Sequence, residues 1–383
     1  MSEQVFDDLK QAFDAGGAEQ LLAALSERLR AEKRYHELFD AMLLDARRRL
    51  GLPIVLTAPL DDLPEPLASQ LEEVYLTACR TVGSLLLEDG ELRSAWRYLR
   101  PVGDKSLVAA ALERMTPDEE NLETIIEIAL HERVAPELGF RLLLENSGVC
   151  DAISTFEALL SGRPRRDRQG PAELLVRRVH ADVVSALHTD IRRQEGTATD
   201  ERSIPKLLEE REWLFLNNNY HLDTTHLAAT VRFARALEAP EPLRLAIELT
   251  DYGRCLSAQF QYPGDPPFTD VYPSHALFFR ALLGENVDEA LDYFRQQAAE
   301  ADGTSAPGDA YVELLARLGR YGEAVAASAK YLPSGTRHGG AAPTLLELSQ
   351  LAGRYDELLA ACKAKNDPVS FATGLMARGQ PRK

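Results

Sequence analysis

Apolar residues recur at three- and four-residue intervals from one end of the chain to the other, the spacing that lines one face of a helix. Val5, Phe6, Leu9 and Phe13, then Leu21, Leu22, Leu25 and Leu29, predict two helices over 3–30 broken at Gly16 and Gly17. The next run carries Tyr35, Leu38, Phe39, Met42 and Leu43 and stops at Gly51 and Pro53. A loop with Pro59, Pro64 and Pro66 leads to a helix over 68–87, and its Asp61 and Asp62 read as loop charge and helix cap rather than a cation site. Further helices are predicted over 118–132, 137–144, 152–160, 172–193, 204–216, 224–237 and 242–258, with the loops QEGTATDERS and QYPGDPPFTDVYP between some of them. No stretch alternates apolar and polar residues as a half-buried strand would. The expected fold class is all-α.

Towards the C-terminus one phrase repeats: LLGENVDEALDYF, LARLGRYGEAVAASAKYLP and LAGRYDELLAACKAKNDP. Its turn glycines, Gly284, Gly319 and Gly353, are spaced by 35 and 34 residues, one helix, one tight turn and one helix each. Gly319-Arg320-Tyr321-x-Glu323-Ala324 with Pro333, and Gly353-Arg354-Tyr355-x-Glu357-Leu358 with Pro368, resemble the second half of a tetratricopeptide repeat. The resemblance covers about the last 100 residues, and more loosely Glu32 to Pro53 and Gly90 to Pro101, whereas the first half of the pattern is largely missing. It implies an α-solenoid of stacked helical hairpins, each covering an apolar face its neighbour cannot cover alone. The organisation expected is an N-terminal hairpin array over 1–115, a divergent, histidine-rich middle over 116–272 and tetratricopeptide-like repeats over 273–383. The resemblance also implies a protein or peptide partner held on the repeat surface.

Charge narrows the partners. A net charge of −17 over 383 residues disfavours generic binding to nucleic acid or anionic membrane. The basic cluster Arg163, Arg165, Arg166 and Arg168 reads as a solvated linker, because Gly162, Pro164, Gly170 and Pro171 interrupt it. Cys79, Cys150, Cys255 and Cys362 are far apart and form no paired motif, which points to a reducing compartment. With neither a secretory leader nor a long apolar run, the expected location is the cytoplasm. Cys150 is expected to be a small buried residue at a helix start.

The chemically versatile residues crowd into WLFLNNNYHLDTTHLAATVRFAR, residues 213–235. Asn217, Asn218 and Asn219 break the preceding helix, and Asp223 reads as the cap of the next. His221 and His226, with His131 or His180 and with Asp223, are the candidate ligands of a Zn²⁺ or Fe²⁺ site, since imidazole and carboxylate suit either ion. Such a site would belong to a metal-dependent enzyme, the alternative to the scaffold, with Asp223 or Glu137 as acid–base or supporting group. The competing reading is a capped helix with two polar histidines and no cofactor at all. Three His-x-Asp triplets begin at His180, His188 and His221. His180 and His188, about 12 Å apart along one helix, cannot share an ion. Nucleotide-binding and hydrolase signatures are absent.

Overall fold

The computed structural model describes residues 3–55, 63–333 and 340–379, so Pro59, Asp61 and Asp62 lie outside the described residues. Among the described residues the regular structure is helical, and extended backbone pairs in a single antiparallel bridge between Pro263 and Asp270. No described helix is long and apolar enough to cross a membrane. The chain divides into two compact units, Met1–Leu142 and Leu143–Lys383. Neither boundary read from the sequence, after 115 and after 272, coincides with that division.

The N-terminal unit contains α1 (Glu3–Ala31), α2 (Tyr35–Arg49), α3 (Leu67–Glu88), α4 (Leu92–Val102), α5 (Lys105–Leu112) and α6 (Leu122–Ile126), which runs on through a π-helical turn, Glu127–His131. The expected break in α1 is present, with Gly17 at φ 67°. From α1 to α5 successive helices pack on one another, and α4 also reaches α6. The amphipathic spacing of α4 explains its place: Leu92, Ala95, Trp96 and Leu99 fall on one face and enter a core with Leu38, Val82, Leu86, Ile125 and Ile128. Gly83 lets α3 and α4 cross closely, because a Cβ there would lie 2.5 Å from Leu99 Cγ.

The division falls within α7 (Pro136–Thr155), which is interrupted at Gly148. The C-terminal unit continues with α8 (Arg165–Glu195), α9 (Ile204–Leu208), α10 (Thr224–Phe233), α11 (Pro240–Cys255), α12 (Val271–Leu282), α13 (Val287–Glu300), α14 (Ala306–Arg317), α15 (Tyr321–Tyr331), α16 (Leu345–Ala352), α17 (Tyr355–Ala364) and α18 (Pro368–Arg378). From α10 onward most helices touch the next one in sequence, and α10 with α12, α12 with α14, α15 with α17 and α16 with α18 touch across one. The sequence boundary at 273 therefore lies inside continuous packing, since α12 lies against both α10 and α11.

One hinge recurs. The backbone turns left-handed at Lys33 (φ 55°), Gly90 (83°), Gly284 (82°), Gly319 (72°), Gly353 (69°) and Asn366 (55°). At each, the following amide reaches back five residues: Arg34 to Leu29 at 2.9 Å, Glu91 to Leu86 at 2.9 Å, Glu285 to Arg280 at 2.9 Å, Arg320 to Leu315 at 2.9 Å, Arg354 to Ser349 at 3.0 Å and Asp367 to Cys362 at 2.9 Å. These bonds satisfy carbonyls that a helix end leaves open, so the hinge is fixed by backbone alone. Three hinges are followed by Arg-Tyr-x-Glu, and the arginine pairs with the glutamate three residues on: Arg34 with Glu37, Arg320 with Glu323 and Arg354 with Glu357. In the N-terminal unit Asp89, beside one hinge, accepts from Lys33 at 2.8 Å and from Tyr35 at 3.2 Å at another.

Four local expectations need correction. The arginine cluster is not a linker: α8 begins at Arg165 and carries Pro171 within it, buried together with Ala172, so burial of that face outweighs the one helical hydrogen bond the proline forgoes. The helix expected over 204–216 stops at Leu208; Glu210 turns left-handed (φ 59°) and 3-10 turns follow over Glu212–Asn218. That break turns Arg211 back onto α8, 2.6 Å from Glu195. The helix expected over 118–132 shortens to α6 and its π-helical turn, because Asp118 folds its carboxylate onto the amides of Glu120 and Asn121 at 3.0 and 2.9 Å. Cys150 is exposed and lies within α7, two residues after its glycine interruption, where that face of the helix meets solvent.

Candidate functional site

The residues read as metal ligands lie apart, and His180, His221 and Asp223 are committed to other partners. His131 lies exposed on the π-helical turn of the N-terminal unit. His180, 7% exposed on α8, donates from Nε2 to Glu248 at 2.8 Å, and the same carboxylate oxygen accepts the Ile204 amide at 2.8 Å. Burial works against the charge on Glu248, yet these bonds hold its carboxyl below the usual range. Together they pin the start of α9 to α8 and α11. Asp223 caps α10, accepting the Thr225 hydroxyl at 2.6 Å and its amide at 2.8 Å, and the Thr225 bonds lower its carboxyl. His226 is half-buried in the first turn of that helix. Among the described residues no group of three or more His, Cys, Asp and Glu side chains is placed to hold a metal ion, so His131, His180, His221, His226 and Asp223 are not gathered into the expected Zn²⁺ or Fe²⁺ site.

His221 occupies a polar core of its own. Its amide donates to the Tyr252 hydroxyl at 2.9 Å, and that hydroxyl donates to His221 Nδ1 at 3.0 Å, leaving the ring proton on Nε2. Nε2 lies 3.5 Å from Asp190 Oδ2, a charge contact without hydrogen-bond alignment. Arg193 and Asn219 hold Asp190 from the other side at 3.0 and 3.3 Å. Burial holds the imidazole neutral against the pull of Asp190, and burial likewise pushes the Tyr252 hydroxyl far above its ordinary value. Tyr252 is fully buried, so this Asp–His–Tyr chain fastens the asparagine turn to α8 and α11 and offers no substrate access.

A cavity of about 720 Å³ lies beside the proline-rich loop. The loop is a tight turn: the Gly264 amide donates to Thr269 at 2.9 Å and the Phe268 amide to Asp265 at 2.8 Å. Glycine is required at 264, since a Cβ would lie 2.3 Å from the Phe268 carbonyl oxygen. Tyr293 of α13 donates to the Pro267 carbonyl at 2.8 Å and so fixes the turn. The buried Phe268 ring stacks on His275 of α12 at 4.2 Å, with the Arg235 guanidinium over it at 4.6 Å. Arg232, Arg235, Phe268 and His275 line one part of the cavity, and Thr304, Ser305 and Ala306, the start of α14, line another.

Arg235 also meets Glu313, a glutamate 2% exposed on α14, whose other oxygen lies 3.6 Å from Arg317. Arg317 donates in turn to the carbonyls of Arg235, at 2.7 Å, and Leu237, closing the 3-10 turn after α10. Burial lowers the Arg317 guanidinium to about 10. His275 is 1% exposed; its Nδ1 donates to the Val271 carbonyl at 2.7 Å, and burial lowers the ring to about 3. The arrangement supplies guanidinium donors, one neutral acceptor nitrogen and an aromatic wall, a set suited to recognition.

Sequence reasoning missed Tyr252, Glu248, Arg235 and Glu313. For Glu313 a signal existed: a lone carboxylate within the apolar run Tyr311 to Ala316. The chain matches no protein-family model, no curated protein and no solved structure.

Proposed function

We propose that the chain is a tetratricopeptide-like α-solenoid that acts as a protein-interaction scaffold, holding a partner segment on its helical-repeat surface. The observation that carries this reading is the recurrence of one backbone-fixed hinge at Gly284, Gly319 and Gly353, with helices touching their second neighbours in sequence. Such packing extends a continuous surface hairpin by hairpin. A groove of about 330 Å³ lined by Asp270, Leu277, Arg280, Glu289 and Tyr293 lies on that surface and is the place proposed for the segment. The net charge of −17 favours a basic partner.

The test is affinity capture with the purified chain, wild type against a double variant, Leu277→Asp with Glu289→Lys, matched for thermal stability. The expected result is a reproducible set of partners lost in the variant. Failure to recover any reproducible partner, together with turnover of a small substrate, would overturn the scaffold.

A further inference from the structure

We propose that α18 pairs with α18 of a second copy of the chain, antiparallel about a two-fold axis at Ala372, and so joins two chains into a dimer. This face is separate from the groove assigned to a partner segment, and the inference stands without that groove.

The helix is packed inside out. It lies against α16 and α17, and the residues it buries there are small, Ser370 and Gly374. A Cβ at Gly374 would lie 2.7 Å from Leu358 Cδ2 of α17, so the close approach of the two helices excludes a larger side chain. The large apolar residues are outside instead: Val369 is 66% exposed, Leu375 49% and Met376 64%, with Pro368 and Ala372 exposed beside them. Their spacing gathers them on one face. Val369 and Leu375 stand three residues either side of Ala372, and Pro368 and Met376 four either side, the intervals that make neighbours on a helix surface. Single exposed apolar side chains are ordinary, but a contiguous set on an 11-residue helix is a contact face.

The symmetry of that set chooses its occupant. Because it is centred on Ala372, turning the helix end for end reproduces it, which is the self-complementarity a two-fold interface requires. An antiparallel copy then sets Ala372 on Ala372 at the axis, Val369 opposite Leu375 and Pro368 opposite Met376. Alanine at the crossing lets the helix axes approach to about 8 Å. Charge selects the same direction. Asp367 stands at one end of the face and Arg378 at the other, so antiparallel pairing brings unlike charges together at both ends and parallel pairing brings like charges together. The 2.9 Å pair of Arg378 with Asp356 opposes this little, since both side chains are more than half exposed. The chain as a whole carries −17, yet from Pro368 to Ala377 it has no charged residue, so the meeting faces do not repel. One helix from each copy buries less than the roughly 800 Å² per partner of a stable complex, so the dimer is expected to be weak, with a dissociation constant of about 10–100 µM.

Sedimentation equilibrium of the full chain from about 1 to about 300 µM tests the pairing, with monomer expected at the low end and dimer at the high end. Ala372→Glu changes a solvent-exposed residue and sets like charges face to face at the axis. It is expected to weaken the dimer about tenfold or more and to leave the melting temperature unchanged. Cysteine pairing reads the register, in a Cys150→Ser, Cys255→Ser background that removes the exposed thiols. Ala372→Cys should oxidise to a covalent dimer, because a residue on the axis meets its own copy. Val369→Cys, displaced from its own copy by about 9 Å along the helix, should not, whereas an equal mixture of Val369→Cys and Leu375→Cys should. A chain that stays monomeric throughout would leave the face to a different protein and overturn the pairing. A dimer that Ala372→Glu leaves intact, or Val369→Cys joining to itself as fast as Ala372→Cys, would overturn it too.

Discussion

Acidification from about pH 7 to about pH 5 probes the interior of the C-terminal unit through one ring. His275 is 1% exposed, stacked on Phe268 at 4.2 Å and near the positive charges of Arg235 and Arg232, and burial holds it down to about 3. In an unfolded chain the same imidazole titrates near about 6.5. Below about 6.5 the unfolded chain binds a proton that the native ring refuses until about pH 3, so stability falls as pH drops through that window and is flat above it. The limiting slope is about 1.4 kcal/mol per pH unit, so the fall from about 6.5 to about 5 removes about 2 kcal/mol. His221, also held low by burial, acts in the same direction. The carboxylates are common to any variant. Urea unfolding read by Trp213, the one tryptophan of the C-terminal unit, in a Trp96→Phe background follows that unit alone. Against this background His275→Leu should flatten the pH dependence by about 2 kcal/mol between pH ~6.5 and ~5. Parallel curves for the two proteins would refute the reasoning.

Tyr252→Phe strands the His221 amide and Nδ1 in a buried site, and at about 1–3 kcal/mol for each orphaned group the expected loss is about 2–6 kcal/mol by urea denaturation at neutral pH. Glu313→Gln leaves Arg235 and Arg317 without their shared carboxylate and should cost about 3–5 kcal/mol, a loss that Glu313→Asp only partly restores. Gly319→Ala meets no neighbouring atom, so its expected cost, about 1–2 kcal/mol by thermal melting, isolates the left-handed backbone; an unchanged melting temperature would show that the hinge tolerates a side chain.

The helices were legible where one apolar face met one core. The α4 stripe of Leu92, Ala95, Trp96 and Leu99, the caps and the glycine hinges all follow from local rules, and the break of α1 at Gly16 and Gly17 fell where the sequence put it. Local rules failed where a distant partner decided. Pro171 stays helical because its face of α8 is buried, and the run after Leu208 breaks as Arg211 turns to Glu195, sixteen residues upstream. The candidate site shows the same division. Asp223 was readable as a cap because its partner, Thr225, is two residues away, whereas His180 and His221 are tied to Glu248 and Tyr252, whose distance in sequence hides them. The third hinge phrase, Arg34-Tyr35-x-Glu37, fell in a stretch that matched the repeat only loosely, because lysine, not glycine, precedes it.

That hinge also bears on how the chain comes apart. Beyond α14 the helices lean chiefly on their first and second neighbours in sequence, and the left-handed bends between hairpins are closed by local backbone bonds. Opening at α18 therefore need not propagate to α12 in one step. Amide exchange should quicken progressively from α14 to α18, peeling the array from its far end as a strip of tape lifts from a corner.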